Sequence, residues 1–347
     1  MKRAVVLLNL GGPDSLEAVE PFLISLFSDP AILRVPGFVR GLLARAIARR
    51  RAPEARAIYA KMGGASPILA ETTAQAGALA EVLGDSEVLV AMRHWHPRAR
   101  EVAEDITARG IEDVILLPLY PQFSTTTTGS SLADFERALK GVGYGGRVRR
   151  ICCYPDLGGF IGTMAEGVRA ALGEARRFGR PKVLLSAHGL PERIVQAGDP
   201  YQWQVEQTAA ALVAAIGDPD LDWTVCYQSR VGPLKWIGPE TRTEIEAASA
   251  AGRPIVVVPV AFVSEHSETL VELDIEYRAL AAAAPAYFRV PTVRAKAEFA
   301  AGLASLVSGE VGCETDRAFC KARLCPPGFR ACPHNPNHRT GRGSAAE

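Results

Sequence analysis

"KVLLSAHGLPE", residues 182–192, decides the fold of this chain. It starts as a near-continuous apolar run and breaks, straight after His188, into a loop carrying Gly and Pro, the pattern of a buried parallel strand reaching its carboxyl end. A counterpart stands at 4–14, "AVVLLNLGGPD". "EVLVAMR" (87–93) and "WTVCYQS" (223–229) each lead into an Arg-containing loop that closes with Pro, "RHWHP" and "SRVGP". "DVILLPLY" (113–120) and "IVVVPVAF" (255–262) each lead into a Ser/Thr-rich turn, and "VRRICCY" (148–154) and "AYFRVPTV" (286–293) complete two sets of four. Ala-rich helical stretches separate the runs. The expected fold class is α/β: two similar lobes related by a pseudo-two-fold, each a small parallel sheet with helices on both faces, with a cleft between them. Ligands of such sheets sit beyond the carboxyl ends of the strands, so these loops are expected to line one site.

Composition limits what the site can serve. A chain of 347 residues holds two domains of ordinary size, and 48% hydrophobic against 22% charged residues is the profile of a folded globular protein. A net charge of +1 argues against a surface built for nucleic acid, and no such partner is expected. The first apolar run is too short to span a bilayer and turns into "GGPD" without a cleavage-site pattern, so a cytoplasmic location is expected.

The turn after the run at 255–262 raises a question of its own. "VSEHSETLVELDIEY" (263–277) puts Glu265, Glu268, Glu272 and Glu276 at steps of three, four and four, which on a helix aligns them along one face. Like charges so placed cost about 0.2–0.5 kcal/mol per pair. A solvated face is the ordinary reading of such a row, but this helix is expected to begin at the cleft, beside His266.

Five extended stretches in order then match a known family. "LLNLGGPDSLEAVEPFL", "YPQFSTTTTGSS", "LLSAHGLPERIVQAGDPY", "YQSRVGPLKWIGPET" and "VVPVAFVSEHSETLVELDIEY" resemble ferrochelatase, which inserts ferrous iron into a porphyrin late in haem synthesis. The resemblance runs from about Val5 to the end of the second lobe. It implies two flavodoxin-like lobes with a C-terminal helix returning to the first, Fe2+ and protoporphyrin IX as substrates, and protohaem as product. Boundaries are expected at 1–155 for the first lobe, 156–293 for the second, 294–309 for the returning helix and 310–347 for a Cys-rich tail.

Metallating a porphyrin requires a base, a cation path and a rigid clamp. His188 at its strand end can accept a proton or coordinate a borderline metal near neutral pH, and the resemblance implies one of these two roles for it. Glu268 matches the family's catalytic carboxylate and His266 is its neighbour. Carboxylates suit a divalent cation and, in a file, give it successive weak sites, so Glu272 and Glu276 are expected to continue a path for iron or protons. Arg93 is expected to pair with a porphyrin propionate or with cleft carboxylates. His94 stands where many relatives carry Tyr. Trp236 offers a flat surface for the macrocycle, and Leu10, Ser124 and Ser130 belong to loops expected to touch it, helix capping being the alternative for the hydroxyl-rich turn at 124–131.

Two further segments lie outside this core. Residues 21–51 combine Phe22, Leu23, Leu26, Phe27, Phe38, Leu42, Leu43 and Ile47 with Arg40, Arg45, Arg49, Arg50 and Arg51, and apolar and basic residues on two helix faces would attach this lip to a membrane surface. The tail carries Cys313, Cys320, Cys325 and Cys332. Four thiolates hold either a [2Fe–2S] cluster or structural zinc, with His334 and His338 favouring zinc. Some ferrochelatases carry a [2Fe–2S] cluster on such an extension plus one body cysteine. The resemblance thus points to iron–sulfur; Thr125 stands here in that body position, so the fourth ligand is expected from the tail or from Cys152 or Cys153, while Cys226 reads as a small core residue. A porphyrin carrier, a coproporphyrin-specific enzyme and a chelatase for another metal are the alternatives, and a homodimer with two clefts facing a bilayer is compatible with the sequence.

Overall fold

The computed structural model describes residues 2–230, 232, 234–309 and 324–333. In the first half, β1 (Arg3–Asn9), α1 (Val19–Phe27), α2 (Gly37–Ala60), α3 (Ile68–Leu83), β2 (Glu87–Met92), α4 (Ala99–Ala108), β3 (Asp113–Pro118), α5 (Thr128–Gly141) and β4 (Arg147–Arg150) follow one another. The second half runs α6 (Gly158–Ala175), β5 (Lys182–His188), α7 (Glu192–Gln196), α8 (Tyr201–Ile216), β6 (Trp223–Gln228), α9 (Thr241–Ala250) and β7 (Ile255–Pro259), then a π-helix at Glu268–Glu276, α10 (Tyr277–Leu280), β8 (Tyr287–Arg289) and α11 (Ala297–Ser308). All strand pairs are parallel, in the orders β2-β1-β3-β4 and β6-β5-β7-β8. The two α/β halves are therefore topologically alike.

The period of two along each strand divides the core. Val5, Leu7, Ile115 and Leu117 of the first sheet share one apolar cluster with Val183, Leu185, Val256 and Val258 of the second, and α6, α8 and α11 fill it. The alternate residues face outward under helices: Ala4, Val6, Val114 and Leu116 under α4 and α5, and Leu184, Ile255 and Val257 under α9 and α10. Each fully buried Val or Leu contributes about 1.5–3 kcal/mol. Slipping one register would turn a whole set to the wrong face. Helix α11 packs against both α3 and α6, and it approaches α6 so closely that a Cβ at Gly159 would stand 2.1 Å from the Glu298 carbonyl oxygen.

Edge strands are shorter than their apolar runs. β4 ends at Arg150, and Ile151 to Tyr154 continue as buried coil; β8 keeps three residues of the run at 286–293. Both strands pair on one side only, so one row of hydrogen bonds sets their length.

The lip differs from expectation in its layout. Val19, Phe22 and Leu23 of α1 pack on Ala48, Ala52 and Tyr59 of α2, so part of the apolar set is internal. Phe38 and Leu42 are 83% and 72% exposed, and Arg45 and Arg49 continue the same helical face at spacings of three and four. Apolar and basic residues therefore separate along α2 rather than around it, because its other face carries the small buried alanines 44, 48 and 52. Among the described residues no helix is long and apolar enough to cross a membrane.

Candidate active site

His188 ends β5, Gln228 ends β6, and the two are register partners. The strand ends thus bring an imidazole and an amide to one edge. The Gly189 N–H donates to the Gln228 carbonyl at 2.8 Å. A Cβ at 189 would stand 2.9 Å from that oxygen and 3.2 Å from Trp236 Cε3, so glycine is what lets Trp236 lie against this turn. His188 Nδ1 is 2.6 Å from the Gly189 carbonyl oxygen. A carbonyl only accepts, so Nδ1 carries a hydrogen, and whenever the ring is neutral Nε2 presents the lone pair.

The chain leaving β7 reaches the same edge. Gln75 of α3 fixes it by donating to the Val263 carbonyl at 2.8 Å and accepting from Ser264 Oγ at 3.0 Å. His266, buried, has Nδ1 at 3.1 Å from the Ser264 carbonyl and Nε2 at 3.7 Å from Glu268 Oε1. Burial would lower its pKa, but the hydrogen bond and charge of Glu268 outweigh that and raise it. Burial would raise Glu268, yet the charges of His188 and His266, with hydrogen bonds from His266 and Ser229, hold its carboxyl at about 2. Burial and then the Glu268 charge push Glu272 the other way, above the ordinary carboxylate value. Ser229 N donates to Glu272 Oε1 at 3.0 Å and Tyr277 to the same oxygen at 2.9 Å. Two neighbouring carboxylates thus shift in opposite directions, a pattern that gives paired acids different protonation behaviour.

The acidic row is accordingly redistributed. Glu265 does not stand on the helix: it precedes the first π turn, and Arg289 of β8 takes it at 2.7 Å while Thr292 N donates to it at 3.0 Å. Glu276, at the far end, pairs with Lys61 after α2 at 3.5 Å. Glu268 and Glu272 alone share partners. A π-helix of nine residues is rare, and such geometry is frequent at functional sites.

A model of the ferrochelatase family matches residues 2–311. The chain belongs to the ferrochelatase family. The ferrochelatase of Pelagibacter ubique (strain HTCC1062) is 44% identical over 342 residues, spanning 96% of this chain and 98% of that protein. That of Caulobacter vibrioides (strain NA1000 / CB15N) is 50% identical over 320 residues, spanning 90% and 91%. Of solved structures, the sirohydrochlorin chelatase SirB from Bacillus subtilis subspecies spizizenii in complex with cobalt shares the fold at 12% identity, with a TM-score of 0.50 over 89% of this chain and 95% of that one. Membership makes this chain a lyase that inserts iron into a porphyrin in haem biosynthesis.

Other residues expected at the ferrochelatase site are held internally. Arg93 donates through Nε to Ser130 Oγ at 2.8 Å, and its other nitrogens pair with Asp29 at 2.8 Å and Asp134 at 3.4 Å. It therefore takes the carboxylate-pairing alternative, with the partners supplied by its own lobe. His94 is enclosed with Nε2 at 3.8 Å from Asp29; burial and then the Arg93 charge hold its pKa far down, so it is neutral and hidden. Ser130 also donates to Asp29, and Ser124 donates to Asp199 at 3.1 Å. Thr125 donates to Asp199 through both N and Oγ1 at 2.7 Å. These hydroxyls brace α5 and α8. Leu10 accepts the His94 N–H through its carbonyl at 2.9 Å.

Reading the sequence missed Gln228, Ser229, Tyr277 and Tyr59. Gln228 ends β6 and Ser229 follows it, so the strand-end rule pointed to both. Tyr59, raised to about 12 by burial and bonded to Ser267, comes from α2 and carries no local signal.

The tail segment 324–333 docks on α8: Ala331 N donates to the Gly198 carbonyl at 3.1 Å, and Phe329 lies 5.8 Å from Trp203. Gln204 Nε2 donates to Cys325 Sγ at 3.1 Å and Cys153 Sγ at 3.3 Å. Cys325 is also hydrogen-bonded with Cys332, while Cys152 and Cys153 pack with Phe123. Cys226 is buried within β6. Among the described residues no three His, Cys, Asp or Glu side chains by themselves form a metal-holding group. Cys313, Cys320, His334 and His338 lie outside the described residues.

Proposed function

We propose that the porphyrin is protoporphyrin IX, that His188 Nε2 accepts the pyrrole protons as Fe2+ enters, and that Glu268 is the fixed anion guiding the cation to that point. The balance is Fe2+ plus the neutral free-base macrocycle, which carries two pyrrole N–H protons, giving metalloporphyrin and two protons. Glu272, which carries a proton more readily than Glu268, passes protons outward toward Glu276. Trp236 offers the stacking surface beside His188. The observation that carries this reading is geometric: Gln228, the register partner of His188, stands 3.4 Å from Glu268, and His266 Nε2 stands 3.7 Å from the same carboxylate, so the three side chains are gathered at the ends of β5 and β7. A porphyrin carrier would need neither the base nor the carboxylates.

The test measures iron insertion and porphyrin binding in His188→Ala and Glu268→Gln. Insertion is expected to vanish while binding, followed by porphyrin fluorescence, persists. Retained turnover in both variants overturns the mechanism, and turnover with coproporphyrin in place of protoporphyrin overturns the substrate assignment.

The second part of the proposal concerns the tail. The four tail cysteines Cys313, Cys320, Cys325 and Cys332, with Cys152 or Cys153 as the alternative source of one ligand, would hold a [2Fe–2S] cluster. An all-sulfur donor set suits iron–sulfur ligation, and such a cluster would supply a one-electron centre. Structural zinc is the competing occupant. The exposed apolar end of α2 and its arginines support peripheral attachment of a cytoplasmic protein to a membrane surface.

A further inference from the structure

We infer that Gln75 is a positioning residue for iron insertion: from the first lobe it reaches the turn ahead of the π-helix in the second and holds the backbone that aims His266 at Glu268. The inference rests on the role given to Glu268 above.

Gln75 lies on α3 and is 2% exposed. Its Nε2 donates to the Val263 carbonyl at 2.8 Å and to the Arg294 carbonyl at 3.2 Å. Carbonyls only accept, so turning the amide over would set oxygen against oxygen at both. Oε1 is thereby left to take the Ser264 hydroxyl hydrogen, at 3.0 Å. One buried amide thus holds three residues of the second half of the chain. The helix that carries it is in turn tied to the first sheet. Asn9, the last residue of β1, donates through Nδ2 to Thr72 Oγ1 at 3.0 Å, and Thr72 passes its own hydrogen to the Ile68 carbonyl at 2.6 Å. Asn9 Oδ1 accepts the Leu10 N–H at 2.8 Å, so the same residue shapes the loop leaving β1. Helix α3 therefore links the end of β1 to the turn that follows β7.

Beyond this clamp, the Ser264 carbonyl stands 3.1 Å from His266 Nδ1, which therefore carries a hydrogen, and Nε2 is turned toward Glu268 Oε1 at 3.7 Å. The His266 N–H donates to Thr269 Oγ1 at 3.0 Å. With the Val263 carbonyl and the Ser264 side chain both held, the Ser264 carbonyl has a set direction and the imidazole follows it. Gln75 itself touches neither porphyrin nor iron. A displacement of about 1 Å far from the chemistry can cost about a hundredfold in rate.

Glu71, one turn before Gln75, supplies the control. It holds Arg294 Nε at 2.9 Å, joining the same two halves through a side chain alone. The Val263 carbonyl also accepts the Arg294 N–H at 2.9 Å, so it keeps a partner when Gln75 is replaced, and the variants are expected to fold.

The experiment uses the full chain as wild type, Gln75→Met, Gln75→Glu, Glu71→Gln and Glu268→Gln. Gln75→Met keeps the length and removes all three bonds, while Gln75→Glu keeps an oxygen for Ser264 and removes both donors. Steady-state iron insertion, porphyrin-binding sites per chain by fluorescence titration, and far-UV circular dichroism are measured. In both Gln75 variants kcat is expected to fall about tenfold to a hundredfold, with the porphyrin KM and the number of binding sites unchanged, and Glu71→Gln is expected to keep the wild-type kcat. A protein that was merely less folded would lose binding sites and turnover together. Wild-type kcat in both Gln75 variants, with Glu268→Gln inactive, overturns the role of Gln75 and leaves that of Glu268 standing. An equal fall in Glu71→Gln assigns the effect to the joining of the halves in general and also overturns it, as does loss of fold in both Gln75 variants. Full turnover in Glu268→Gln overturns the reading of Glu268 itself, and the inference with it.

Discussion

Glu268 and Glu272 meet at one hydroxyl: Ser229 Oγ stands 3.2 Å from the first and 2.5 Å from the second. That hydroxyl has a single hydrogen, so with both carboxylates ionised one contact lacks a proton. A proton on Glu272 donated to Ser229, with Ser229 donating to Glu268, satisfies all three groups. The opposite shifts of the two acids make Glu272 the first of the pair to take up a proton as pH falls. Because the Glu268 charge contributes to raising Glu272, Glu268→Gln is expected to bring the Glu272 titration down. Difference infrared spectra of the carboxyl stretch across a pH series read this directly, and an unmoved Glu272 would show that the pair is uncoupled.

The same electrostatics give stability a pH dependence. Glu268 falls from an ordinary 4.5 to about 2 on folding, so its stabilisation is present above pH 4.5 and drains away as pH drops toward 2. At about 1.4 kcal/mol per pH unit the whole effect is about 3 kcal/mol. His266 is raised, so its share is present below its ordinary 6.5 and is lost as pH rises through the folded value. The stability difference between wild type and Glu268→Gln, from urea unfolding, should therefore be greatest between pH 4.5 and 6.5 and shrink on both sides. A difference flat with pH would refute the pairing of His266 with Glu268.

The topology was legible because buried parallel strands are written as apolar runs and their loops as Gly/Pro breaks; all eight runs quoted contain a strand. That His188 and Glu268 would lie at one edge was legible for the related reason that the strand ends of such sheets and the turns after them converge. What escaped was whatever depends on long-range partners. Nothing local distinguishes Glu265 from Glu268, yet Arg289, more than twenty residues on, removes Glu265 from the row. Arg93 and His94 sit in a strand-end loop of the right kind, and only Asp29 and Asp134, from two other segments, turn them inward. Spacing reports a helix face but not whether the turns are α or π, since that choice lies in backbone hydrogen bonds.

Arg289 offers a test of that inward network. Its guanidinium bridges Glu265 at 2.7 Å and Asp274 at 2.6 Å, and it is almost wholly buried. Arg289→Ala leaves a buried carboxylate without its countercharge, a change that costs about 3–5 kcal/mol. Urea unfolding should show that loss, whereas Arg278→Ala, at an exposed pair with Asp274, should lose under about 1 kcal/mol. Equal effects would contradict the contrast in burial.

Gly189→Ala tests the turn that joins His188 to Trp236. The added Cβ meets backbone on one side and the indole on the other, and the backbone carbonyl is the less able to yield. The indole is expected to shift, changing its fluorescence maximum and weakening porphyrin binding, with the fold retained by circular dichroism. Unchanged fluorescence and binding would mean that Trp236 is not seated by this glycine.

The last prediction concerns the lip. Phe38 and Leu42 stand on the first turns of α2 with most of their surface in water, an arrangement that gains about 1.5–3 kcal/mol per side chain when covered by apolar material. Arg45, Arg49 and Arg50 follow on exposed positions, each adding about 1 kcal/mol near an anionic surface. Sedimentation with vesicles of phosphatidylcholine and phosphatidylglycerol should therefore fall about a hundredfold in partition for Phe38→Ser/Leu42→Ser, and be weakened further by salt. Iron insertion into porphyrin supplied in detergent should remain, because neither residue belongs to the group around His188. Equal sedimentation of variant and wild type would show that the exposed end of α2 is not what meets the membrane.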